Sequence, residues 1–424
     1  MRLFLLCICF LGAIWAQDDS SPADEKQRSR TARDLGKGGS ENIPQLKAML
    51  ADSSVNVRRE AVRAIVNVGT QHSIDPLIQS TRDNDPEIQF HAADGIVNFY
   101  LPGYVQGGFQ KLASSVRGRF DRENTQVIEP FVVVRQDAIV ALGKLARGGA
   151  DMDSRANAAR AVGILRGKAA TEDLVQALHS KNTNLIFESL IALQKIQDSS
   201  TASKVSFLLR DLEPRVQIAA IETTGLLRNA EAVPNLQKVF DSERGDKVRR
   251  AALTALAMLP HESSRPYFQR GMSDKHEGVR AAAAEGFARL KKAEDEKEME
   301  RMFAEERKME PRLAAAFALV SLGQVSTAAN TPLTYLVNAL NSKAYSGVAL
   351  PYLYELAREG AVRKTLYEYL KQANREEKIG IGRVLAVSGG PDAVETLEWL
   401  SKDPNADVAQ EGIRSLRTLR SRLN

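Results

Sequence analysis

Val248 to Leu259 reads VRRAALTALAML. The same pattern returns as Val57-Arg58-Arg59-Glu60-Ala61, Val134-Arg135, Val216-Gln217 and Val279-Arg280-Ala281-Ala282-Ala283. A segment that recurs at a fixed period marks a repeat architecture, in which each unit buries its apolar face on its neighbours. Taking the first position of each copy as an anchor gives Val57, Ile88, Val134, Ser154, Leu185, Val216, Val248, Val279 and Pro311; Ser154 and Pro311 hold the place by register. From Ser154 onward the anchors lie 31 or 32 residues apart. That period holds two helices of about a dozen residues and two short turns.

The columns say how such units stack. Four past each anchor stand Ala61, Ala92, Ala138, Ala158, Ser189, Ala220, Ala252, Ala283 and Ala315, and seven past stand further Ala, Gly and Thr residues. Eleven past, every residue is large and apolar: Val68, Phe99, Leu145, Leu165, Ile196, Leu227, Leu259, Leu290 and Leu322. Small residues there let helices approach closely, and the large one fills the core on the same face. One past the anchor come Arg58, Gln89, Arg135, Arg155, Gln217, Arg249, Arg280 and Arg312, and six before several of these stands an acid, such as Asp52, Asp83 or Asp274. An acidic turn residue caps the second helix of its unit and meets an arginine from a stacked neighbour. The fold class is therefore all-α, an α-α superhelix of roughly ten to twelve helix pairs.

These columns resemble HEAT repeats, of the short kind found in the phycobilisome-lyase-like proteins. The VR-x2-A-x2-A-L core and the acid-x5-Arg spacing carry the resemblance, closely over residues 25–322 and loosely over 323–424. It implies an armadillo-type solenoid, with the second helix of each pair lining the concave side.

Outside the repeats, residues 1–16 read as a secretory signal peptide: Arg2, an apolar run from Leu3 to Trp15, and Ala16 at the cleavage point. The only two cysteines, Cys7 and Cys9, fall inside it. A chain starting at Gln17 has no disulfide, thiolate nucleophile or cysteine-held metal. With no Asn-x-Ser/Thr sequon, this points to a bacterial protein exported to the periplasm or beyond. Residues 17–24 form a polar linker, and about 25–36 a half-repeat that caps the stack. The net charge of +5 with 26% charged residues is too mixed for a nucleic-acid groove.

The period breaks between Ile88 and Ser154. Residues 101–133 form an irregular insertion rich in glycine, aromatic and basic residues, and the helix after it is either displaced or the first helix of the next unit. Beyond residue 322 the units loosen, with breaks at Gly360-Ala361 and Gly389-Gly390-Pro391.

Catalytic chemistry finds little footing. The HEAT-repeat deoxyhypusine hydroxylases carry His-Glu pairs directly after the VR of their second helices. The matching dipeptides here are Arg59-Glu60, Gln136-Asp137 and Phe187-Glu188, acids without histidines. The two His-Glu pairs present, His261-Glu262 and His276-Glu277, fall in predicted turns. No cofactor is expected. The reading is a non-enzymatic exported scaffold that binds a protein partner, with no nucleic acid and no transmembrane segment. The alternative is a cofactor- or tetrapyrrole-binding protein of the lyase or isomerase kind.

One asymmetry suggests where a partner sits. Three past the anchor, the early units carry Glu60, His91, Asp137, Asn157 and Glu188, whereas later units carry alanine. Six past, they add Arg63, Asp94 and Arg160. Residues three apart share a helix face, so the concave side is expected to be polar over residues 57–190. The expected partner-binding residues are those eight without Asn157, together with Tyr104, Phe109, Arg117 and Arg119 of the insertion.

Overall fold

A computed structural model describes residues 22–105, 124–242 and 245–423. The expected signal peptide and the insertion residues Phe109, Arg117 and Arg119 lie outside them. The chain forms two compact units, Met1–Lys111 and Leu112–Asn424. Among the described residues every regular element is helical, and none is long and apolar enough to cross a membrane.

The first unit holds α1 (Pro22–Leu35), α2 (Ile43–Met49), α3 (Val55–Val68), α4 (Ile74–Ser80) and α5 (Pro86–Tyr100). Helices α1, α3 and α5 stack on one another, and the shorter α2 and α4 pack on α3 and α5 as a second layer. The half-repeat expected near 25–36 is α1. Local signals set the ends. Ser54 accepts the Asn56 N–H at the start of α3, and Asp85 accepts the Ile88 N–H at the start of α5, ahead of a helix-starting Pro86. Gly69 closes α3 at φ 57°, the left-handed conformation glycine adopts most easily.

The second unit opens with α6 (Gln136–Gly148), α7 (Met152–Ile164), α8 (Thr171–Ala177) and α9 (Thr183–Ile196). A 3-10 helix at Ser199–Leu208 then precedes α10 (Pro214–Leu226), α11 (Val233–Ser242), α12 (Asp246–Met258), α13 (Arg265–Met272) and α14 (Glu277–Leu290). It continues with α15 (Glu296–Glu305), α16 (Met309–Ser321), α17 (Pro332–Asn338), α18 (Ser346–Leu356) and α19 (Gly360–Tyr369), and ends with α20 (Arg375–Ser388), α21 (Val394–Leu400) and α22 (Ala406–Leu423). Helices α7, α9, α10, α12, α14, α16, α18, α20 and α22 form one continuous stack. Helix α6 packs on α7 and α8, in the layer of first helices. Val134, Arg135 and Asp137 therefore do not belong to the second-helix columns, which explains the spacing of 20 to Ser154. Gly360, read as a break, opens α19.

The seam is close-packed. Val57, Ile88, Leu185 and Val279 are fully buried, as are the small residues four past each, Ala61, Ala92, Ser189 and Ala283. Gly286 shows how little room remains, since a Cβ there would lie 2.4 Å from the Phe268 ring. Phe268 is itself fully buried edge-on against Phe287, ring centroids 6.0 Å apart. Gly286→Ala is expected to cost about 1–3 kcal/mol through overpacking, read as a lower denaturation midpoint.

The polar ladder forms between successive repeats within each unit. Arg28 reaches Asp52 at 2.8 Å and Arg58 reaches Asp83 at 2.9 Å in the first unit. Arg249 reaches Asp274 at 2.5 Å, Arg280 reaches Glu306 at 2.8 Å and Lys378 reaches Asp403 at 2.7 Å in the second. Each acid also accepts a backbone N–H two residues on, as Asp274 does from His276, while Arg58 and Arg280 donate back to the Asp52 and Asp274 carbonyls. One carboxylate thus fixes a turn and ties two adjacent repeats. For Asp274 and Glu306 burial works against ionisation, but the N–H donors and the arginines outweigh it and hold both pKa values below the ordinary 3.8 and 4.5. A carboxylate depressed by folding adds stability that is complete above about pH 5 and is lost as pH falls through its folded pKa. Thermal melts should therefore drop steadily below about pH 4, and Asp274→Asn should flatten that drop.

Candidate interaction surface

Five of the expected partner residues fall into two clusters, Glu60, Arg63 and His91 in the first unit and Arg160 and Glu188 in the second. In the first unit, α1, α3 and α5 carry them on one face. Arg33 of α1 reaches Glu60 of α3 at 3.3 Å. Arg63 donates to Glu60 at 3.1 Å and to His91 Nε2 at 3.3 Å, and pairs with Glu87 of α5. Arg59 bridges Asp85 at 2.7 Å and Glu87 at 3.1 Å. The His91 hydrogen bond, with Arg63 and Arg59 beside it, holds the Glu87 carboxyl below its ordinary range despite its burial. Arg33, Arg59, Glu60, Arg63 and Glu87 remain partly exposed and border a shallow groove of about 310 Å³. His91 and Asp94 are buried. Tyr104 sits half-buried in the turn after α5, its N–H donating to the Leu101 carbonyl.

In the second unit, Arg160 of α7 and Glu188 of α9 form a bidentate pair at 3.0 and 2.6 Å, with side chains 5% and 0% exposed. Asn124 donates to the same carboxylate at 2.6 Å. Lys195 donates to Asn124 Oδ1 at 2.5 Å and to the Gln126 carbonyl at 2.8 Å, and the Ile128 N–H donates to the Ile164 carbonyl. The returning limb of the insertion is thereby strapped across α7 and α9. Burial pushes the Lys195 amine down to about 8, with Arg160 adding to the effect and Glu188 opposing it. A lysine whose folded pKa lies below its unfolded 10.5 makes stability rise as pH climbs from about 8 to 10.5, because the unfolded chain binds the extra proton. Lys195→Met should remove that slope, as seen by comparing denaturation of both proteins at pH 7.5 and 9.5.

Asp137 stands apart from both clusters, in the first turn of α6 and paired with Arg135 at 2.5 Å. The expectation of a polar concave stripe also needs correction. Three past the anchor, Asn157 and Glu188 are buried just as Ala219, Ala251, Ala282 and Ala314 are. That register position faces neighbouring helices of the stack, and Glu60 alone is partly open among these. No periodic signal marks Lys195, Asn124 or Gln126, which meet only through the path of the limb. His261 and His276 do lie in turns, where their ring nitrogens accept the Ser263 and Gly278 N–H groups and cap the following helices.

Antiparallel helix pairs with small residues along a shared seam define an α-solenoid of HEAT and armadillo type. The family described as HEAT repeats matches residues 19–104 and 241–320, one stretch in each unit. The chain is also similar to several solved structures. YibA of Escherichia coli is 14% identical, over 70% of this chain and 96% of its own, with a TM-score of 0.42. The complex of CpcE and CpcF of phycocyanin lyase from Nostoc sp. is 15% identical, over 62% of this chain and 92% of its own, at 0.38. Human deoxyhypusine hydroxylase in complex with glycerol is 17% identical, over 67% of this chain and 96% of its own, at 0.28. No curated protein matches the chain in sequence.

Proposed function

We propose that this HEAT-repeat protein is an exported scaffold that holds a protein partner on the α1–α3–α5 face. The observation that carries the reading is the ion-paired groove there. Side chains from three successive repeats, both signs of charge, are held by one another in fixed positions and left partly exposed. A mixed, ordered charge pattern favours recognition of a complementary protein surface over tracking of a uniform polyanion. Export rests on the signal-peptide pattern of residues 1–16.

The test is affinity purification of the chain from the envelope fraction, as wild type and with Glu60→Arg plus Arg63→Glu. A stoichiometric protein retained by the first and lost from the second, with helix content and melting unchanged, supports the reading. Equal retention by both removes this face from the proposal. Mass analysis of the exported chain should give Gln17 as its first residue; a cytoplasmic, unprocessed chain contradicts export.

A further inference from the structure

We infer that the second unit carries a docking site of its own, the open face of α9, α10 and α12, which takes an extended segment of a partner protein with aliphatic side chains around one lysine or arginine. The positions two, six and ten past each anchor share one face of every second helix in the stack. On either side of α9, α10 and α12, other parts of the chain cover that face. On α7, Ala156, Arg160 and Ile164 are buried where the returning limb crosses, and the Ile128 N–H donates to the Ile164 carbonyl. On α14 and α16 the cover is α18. Its Tyr352 donates to Glu285 at 2.7 Å and stacks on Phe317, and its Glu355 pairs with Arg289 at 2.9 Å. Between these two covers, Ile191, Ile218, Leu226 and Met258 stay partly exposed, Leu226 by 37%.

Two observations choose the occupant. The first is charge. Glu222 stands in the middle of the patch, one helical turn from both Ile218 and Leu226. Among the described residues its carboxylate receives no hydrogen bond and no ion pair, and Arg250, the cation that acts on it, is already paired with Glu310. Partial burial pushes the Glu222 carboxyl above its ordinary 4.5, with Arg250 opposing. A cationic side chain from a partner supplies the missing counter-charge. The second observation is the limb. One helix earlier, the same face already takes an extended segment, with Ile128 buried and its N–H bonded to the helix end. Stacked helices lie about 8–10 Å apart, so a chain crossing from α9 to α12 spans about 20 Å, the reach of about six extended residues whose alternate side chains face the patch. The surface is fixed beforehand. The Gln194 amide ties α9 to α10, donating to the Ala219 carbonyl at 3.2 Å and to Thr223 Oγ1 at 3.0 Å. Gly225 lets α12 approach so closely that a Cβ there would lie 2.9 Å from Ala255 Cα. A face that need not rearrange avoids the ordering cost of binding.

The experiment titrates the full chain into fluorescein-labelled peptides and reads anisotropy. The probe Gly-Leu-Thr-Lys-Thr-Leu-Gly sets leucine, lysine and leucine on one side of an extended strand. The control peptide carries glutamate in place of lysine. The lysine peptide should bind the wild type saturably, and the glutamate peptide about tenfold more weakly. Glu222→Lys should reverse that order. Glu222→Gln, which keeps the side chain's shape, should erase the preference, and Leu226→Ser should weaken both peptides. Helix content and melting of each variant are checked against the wild type. Glu60→Arg with Arg63→Glu, in the first unit, should leave both titrations unchanged, so failure of this site is distinguishable from failure of the α1–α3–α5 face. Equal binding of the two peptides, or no saturable binding of the lysine peptide, overturns the site. Self-association of the peptide-free chain that Glu222→Lys abolishes overturns the peptide occupant in favour of a second copy.

Discussion

Arg160→Ala should lower stability by about 3–5 kcal/mol, the range seen when one partner of a buried ion pair is removed. The Glu188 side chain is wholly buried and accepts two hydrogen bonds from Arg160 and one from Asn124. Without the guanidinium, the carboxylate must stay charged in a poorly solvated place or take up a proton. The paired replacement Arg160→Met with Glu188→Leu removes both charges at similar volume, and should recover most of the loss. Urea denaturation of the three proteins checks this. Equal losses in the single and double variants mean that packing, not the ion pair, dominates at α7 and α9.

Phe268→Ala should cost a similar amount, about 3–5 kcal/mol, since it empties a fully buried ring site between α13 and α14. The ring is edge-on to Phe287 and lies against the one atom-wide space left by Gly286. Neighbours in one cavity do not add independently. Gly286→Ala should therefore be nearly harmless once Phe268 is alanine, and the cost of the double variant should fall short of the summed single costs. Strict additivity would place the two residues in separate environments and contradict the seam geometry.

The regular part of this fold was readable because each position in a second helix has one job in every unit. Val57, Ile88, Leu185 and Val279 recur at the period of the stack, and the small residues four on, three alanines and Ser189, mark the seam. The end of the second helix was less readable. Twelve past the anchor the backbone turns left-handed at Gly69, Arg166, Gln197, Arg228, Lys291 and Gly323, but glycine marks only two of those six turns. Arginine, glutamine and lysine tolerate the conformation at a cost the rest of the unit carries, so they give no local signal. Helix α6 misled the columns because its own apolar spacing, from Ala138 through Ala141 to Leu145, is that of any helix packed on one side.

The interaction surface was legible in part. Glu60, Arg63 and His91 were brought together because they occupy one register on stacked helices. Arg160 and Glu188 were brought together for the same reason, but as an interior pair. Periodicity says which residues share a face; it does not say whether another helix or a limb of chain covers that face. The strap made by Asn124, Gln126 and Lys195 depends on the course of an aperiodic segment, which no spacing rule encodes.

Site-specific photocrosslinking in the cell maps the partner onto the protein's surface. A photoreactive residue is placed in turn at Lys26, Ser29 and Asn56, on the rim of the ion-paired groove, and at Gln237 and Arg270, in the layer of first helices. One discrete protein adduct is expected from the groove positions and none from the other two. Adducts of equal strength from both sets, or from the first-helix layer alone, would contradict a partner held on the α1–α3–α5 face.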